Sequence, residues 1–94
     1  MIGVKLRELR ENNSLLLRQV AAILEVDTAT LSKMEREIKK IRKEHLLKLA
    51  QLYHVDIDKL TAIWLADKVL KVLKTEVSSV SKEALQIVNE QITT

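Results

Sequence analysis

The chain has 94 residues, no cysteine, no proline, one glycine, and one tyrosine and one tryptophan as its only aromatic residues, so it is long enough for one modest core and has the make-up of an all-helical domain. Without cysteine there is no disulfide, thiolate metal site or cysteine nucleophile. His45 and His54, nine apart, lack the spacing of a metal pair and are expected at helix ends or on the surface. No run is apolar enough to span a bilayer, and MIGVKLREL is charged within five residues, so a cytoplasmic protein with no membrane contact is expected.

The net charge of +3 is unevenly placed. Residues 1 to 60 hold 12 Lys and Arg against 9 Asp and Glu, whereas residues 61 to 94 hold 4 of each. REIKKIRK, Arg36 to Lys43, carries five cations and one anion, which suits a phosphate-facing patch or an ordinary solvated face.

In chain order, GVKLRELREN predicts a first helix, with Val4, Leu6 and Leu9 apolar, that stops at Asn12, Asn13 and Ser14. Leu16, Leu17, Val20, Ala21, Ile23 and Leu24 predict a short, mostly buried second helix. After a link at Glu25 and Val26, Asp27 is a good N-cap for a third helix over Thr28 to Glu37, with Leu31, Met34 and Ile38 facing inward. At a hundred degrees per residue from Leu31, Ala29, Lys33 and Arg36 point outward, flanked by Thr28, Thr30 and Ser32.

A basic connector over Glu37 to Lys43 leads to a fourth helix with Leu46, Leu49, Ala50 and Tyr53 on its apolar side. Asp56 caps DIDKL, which continues or turns into TAIWLADKVLKVLKTEV, apolar on more than one face. The second apolar face is best explained by another copy of the chain. After VSSVS, Ser81 is the expected cap of a last helix with Ala84, Leu85, Val88 and Ile92 on one side. The expected division is a first helical unit over 1–60 and a helical extension over 61–94, with Ile63, Trp64, Leu70, Leu73, Leu85 and Val88 at a dimer interface.

Two short helices with a tight link, the second with a polar outer face, form the pattern of a helix-turn-helix. Short side chains let the helix backbone approach base edges. Ala29 suits a thymine methyl, Thr28 and Ser32 exchange hydrogen bonds, and Lys33 reaches guanine O6 and N7. The expected base-reading set is Thr28, Ala29 and Lys33.

These residues resemble the Xre/Cro/CI group of bacterial and phage repressors with a lambda-repressor-like domain. The resemblance covers Ile2 to Leu60, in IGVKLRELRENNSL, in QVAAILEVDTATLSKMERE with Ala21 at the small packing position, and in HLLKLAQLYHVDIDKL. It implies a five-helix fold and backbone contacts from Arg36, Lys39 and Lys40; Arg18, Thr30 and Ser32 complete the expected phosphate-facing set. The chain departs from the pattern at four positions. Glu25 stands where the family usually has Gly and implies a left-handed residue costing roughly 1 kcal/mol. Leu17 replaces a phosphate-binding glutamine, and Glu37 and Ile41 replace the usual Gly and Pro.

No nucleophile, base and orienting group converge, so an enzyme is not expected; Glu35 and Arg36 are read as structural. No cofactor, metal or small-molecule ligand is indicated. The expected partners are double-stranded DNA and a second copy of the chain, the function a sequence-specific transcription regulator, repressor or controller, on a two-fold operator. The alternative is a protein-interaction module, such as a toxin-neutralising antitoxin or an adaptor, with weak or no DNA binding.

Overall fold

The structure, a computed structural model, describes residues 1–93. Among these residues there are six α-helices and no strand: α1 (Ile2–Asn12), α2 (Leu17–Leu24), α3 (Thr28–Glu35), α4 (Lys43–Tyr53), α5 (Ile57–Leu73) and α6 (Ser78–Thr93). The core is drawn from α1 to α4, the connector after α3 and the first turn of α5, with Leu6, Val20, Leu31, Leu46, Leu49 and Leu60 among its most buried members.

In α1 the inward face is Ile2, Gly3 and Leu6. Val4, expected with Leu6 and Leu9, is exposed, because a separation of two residues turns it about 200° from Leu6. Gly3 sits against the end of α3: a Cβ there would fall 2.7 Å from the carbonyl oxygens of Met34 and Glu35. The absent side chain sets how closely α1 approaches α3. No residue of α1 caps its own start; the carboxylate of Asp67, from α5, accepts from the Ile2 N–H at 2.7 Å.

Helix α2 begins where the Gln19 side chain accepts from the Leu16 N–H at 2.8 Å. Its end is a Schellman turn: Glu25 has φ 59° and ψ 39°, and the Val26 N–H reaches the Ala21 carbonyl at 3.0 Å. Glu25 thus adopts the left-handed conformation expected of it. The same device ends α4, with His54 at φ 54° and the Val55 N–H on the Ala50 carbonyl.

Helix α3 is shorter than predicted. Glu37 takes φ 64° and the Ile38 N–H closes on the Lys33 carbonyl at 2.9 Å, so the helix terminates before Ile38 can join its inward stripe. Ile38, expected to face the core, is 66% exposed, and Ile41 is the connector residue that is buried.

Asp56 accepts from the Asp58 N–H at 2.9 Å and starts α5, which then runs through residue 60 without interruption as one 17-residue helix. The expected boundary near Leu60 falls inside this helix. Helix α6 starts at Ser78; Ser81 lies within its first turn, and its hydroxyl donates to the Leu73 carbonyl at the end of α5 instead of capping. No residue of α6 is buried. The Cα radius of gyration, 15.3 Å, exceeds the roughly 12 Å expected of a compact chain of this length, in keeping with an α6 that buries none of its residues.

Candidate nucleic-acid interface

The orientation of α3 follows from three inward groups. Leu31 and Met34 are buried in the core, and Glu35 is held by Arg10 of α1. The Asp27 carboxylate caps the helix, accepting from the Thr30 N–H at 2.6 Å. Hydrogen bonding from Thr30, first from its side chain and then from this N–H, holds the Asp27 carboxyl below the usual carboxylate range, with the charges of Lys39 and Lys33 adding in the same direction.

With those groups fixed, Thr28, Ala29, Lys33 and Arg36 are exposed, while Thr30 and Ser32 are half-buried on the flanks. The three residues expected to read bases are therefore all open to solvent, Thr28 and Ala29 in the first turn of α3 and Lys33 in its second. Arg36 folds back along its helix, its Nε 3.3 Å from the Ser32 carbonyl oxygen. Lys39 and Lys40 are exposed on the connector, and the Lys39 N–H bonds the Lys33 carbonyl at 3.2 Å, which ties the connector to the recognition helix. Arg18 is exposed on the first turn of α2, and Leu17 beside it packs partly against the core.

Several organising contacts escaped the sequence reading. The bidentate Arg10–Glu35 pair is one. Its sequence signal was a lone carboxylate one turn after Leu31, on the inward side of α3. A second is the indole N–H of Trp64, which donates to the Ile41 carbonyl at 2.7 Å and pins the connector to α5. Trp64 and Ile63, expected at a dimer interface, are partly buried against their own core. Leu73 is half-buried, and Leu70, Leu85 and Val88 are exposed. A third is the row Lys68 and Lys71 on α5 with Lys74 at its C-cap, which comes alongside Lys39 and Lys40. His54 ends α4, and His45, at the start of α4, is held below the usual histidine range by burial, partly offset by Glu44.

Two short helices joined by a left-handed residue, the second presenting an open polar face beside a basic connector, make up a helix-turn-helix DNA-binding unit. A family model described as Helix-turn-helix matches residues 6–60, more than half of the chain, and the chain belongs to this family, that of the Xre and lambda-repressor-like helix-turn-helix proteins. It is a DNA-binding regulatory protein of that kind. No curated protein and no solved structure matches the chain. Among the described residues no helix is long and apolar enough to cross a membrane.

Proposed function

We propose that the protein is a sequence-specific transcription regulator, a repressor or controller, that binds a two-fold operator as a homodimer with α3 in the major groove. The observation that carries this reading is the shared exposure of Thr28, Ala29 and Lys33, with Ala29 and Lys33 on the side of α3 opposite the buried Leu31 and Thr28 on the flank at its first turn. Short residues admit the helix to the groove, and Lys33 is long enough to reach a guanine edge. Lys39 and Lys40, with Arg18 and Arg36, are placed to neutralise phosphates on either side.

The dimer reading rests on α5 and α6. Leu65, Val69 and Val72 of α5 and Leu85, Val88 and Ile92 of α6 are large apolar side chains in water, more than a small monomer ordinarily exposes on two successive elements. A two-fold pairing through α5 and α6 would set the recognition helices about 34 Å apart, one turn of DNA. Selection from a random duplex pool tests the reading: recovery of an inverted repeat with half-site centres one turn apart supports it, and recovery of no enriched sequence overturns it.

A further inference from the structure

Between the connector and α5 lies an open cleft of about 450 Å³. Sites that hold small organic ligands span roughly 300–1,000 Å³. The floor is apolar, made by Ile2, Met34, Ile41, Trp64 and Leu70. The rim carries five lysines, Lys39 and Lys40 from the connector, Lys68 and Lys71 from α5, and Lys74 at its C-cap. The spacing of three on α5 lines its amines along one edge.

The charge of this rim is answered only in small part within the chain, by the field of Asp27 on Lys39. The two carboxylates at the cleft, Glu37 and Asp67, are turned to the Met1 amino group, and Asp67 also takes the Ile2 N–H. None of the five lysines forms a salt bridge among the described residues. Lys68 instead lies 3.7 Å over the centre of the Trp64 ring. Clustered ammonium groups over an apolar floor focus a positive field and weaken their own hydration, which an anionic ligand relieves.

We propose that this cleft binds a small amphipathic acid, its apolar body on Trp64 and Leu70 and its carboxylate among Lys68, Lys71 and the connector lysines. An inorganic anion leaves the apolar floor unused, and a neutral apolar molecule leaves the amines unanswered. Ligand and DNA then draw on the same connector: Lys39 and Lys40 line the cleft and stand in the phosphate-facing set, and Trp64 is bonded to Ile41 between them and α4. The acid therefore weakens operator binding. That regulatory half rests on the DNA reading above; the binding half does not.

The chain has one tryptophan, so a ¹⁵N-labelled sample gives one indole N–H resonance, a reporter inside the cleft. It is titrated with 3-phenylpropionate, with the neutral 3-phenylpropanamide and with inorganic phosphate. The proposal predicts a saturable shift with the acid, affinity weaker by roughly tenfold or more for the other two, and a similar loss of acid binding in Lys68→Gln/Lys71→Gln with the thermal midpoint retained. It is overturned by no saturable shift at millimolar acid, by equal affinity for acid and amide, or by undiminished acid binding in the double variant. If the acid leaves the indole unmoved while the double variant loses duplex affinity, the lysines belong to the DNA footprint and the proposal falls. Duplex binding measured on the same sample separates the two readings, since a shift without duplex binding sinks the DNA reading alone.

Discussion

Arg10 grips Glu35 through two parallel hydrogen bonds, Nε to Oε2 at 2.8 Å and Nη2 to Oε1 at 3.0 Å, and its remaining nitrogen donates to the Leu15 carbonyl at 3.0 Å. The pair joins α1 to the last turn of the recognition helix, with Glu35 only 4% and Arg10 12% exposed. Removing one partner strands the other charge away from water, which costs about 3–5 kcal/mol. Urea unfolding should therefore show Arg10→Ala and Glu35→Ala each strongly destabilised, and Arg10→Met/Glu35→Leu much closer to the wild type. Loss of under about 1 kcal/mol in both single variants would contradict a buried, mutually dependent pair.

Glu25 holds a left-handed backbone with a side chain that is exposed. Glycine adopts that conformation without the Cβ clash. Glu25→Gly is expected to gain about 1 kcal/mol, and a domain of this size then melts roughly 4–8 °C higher. An unchanged or lowered melting temperature would show that the turn is not strained.

Tyr53 is pushed up to about 12, first by burial and then by the charge of Glu35. Folding thus favours the neutral phenol, and its contribution is fully present below the unfolded value of about 10 and is lost as pH rises towards 12. The chain has one tyrosine, so an absorbance titration reads this group alone. The folded midpoint should lie well above that in denaturant, and Tyr53→Phe should flatten the fall in stability across this window. Coincident midpoints in the two states would refute it.

The exposed apolar side chains of α5 and α6 predict self-association. Val69 and Leu85 are exposed on α5 and α6, whereas Trp64 is engaged with its own connector, so the first two are the cleaner probes. Val69→Glu and Leu85→Glu should sediment as folded monomers where the wild type is dimeric. A wild type that is monomeric at high micromolar concentration would end the dimer reading.

What could be read from the sequence was local. Asp27 as a cap, Leu31 and Met34 as the inward stripe, and the outward phase of Ala29, Lys33 and Arg36 with Thr28 on the flank all belong to one helix and its cap, where spacing alone sets direction. Glu25 was legible too, since a turn that short leaves few conformations. Ile38 was misplaced because the phase was carried past Glu37, whose left-handed backbone ends the helix. The contacts that fix α3 and its connector in space were not legible. Arg10 to Glu35 spans 25 residues, Trp64 to Ile41 spans 23 and Ile2 to Asp67 spans 65, and no local period links such pairs. The lysine-rimmed cleft escaped notice for the same reason, being assembled from two basic rows far apart in the chain.

The central claim is that α3 reads DNA through Thr28, Ala29 and Lys33 while Lys39 and Lys40 hold the backbone. The most direct measurement is the affinity of wild type, Lys33→Ala and Lys39→Ala for selected and scrambled duplexes across a salt series. The account predicts a steep fall of wild-type affinity with salt. It also predicts that Lys33→Ala loses about 1–3 kcal/mol on the selected duplex and little on the scrambled one, and that Lys39→Ala weakens both alike with a shallower salt slope. No binding to any duplex at low salt, or equal losses on both duplexes for Lys33→Ala, would contradict it.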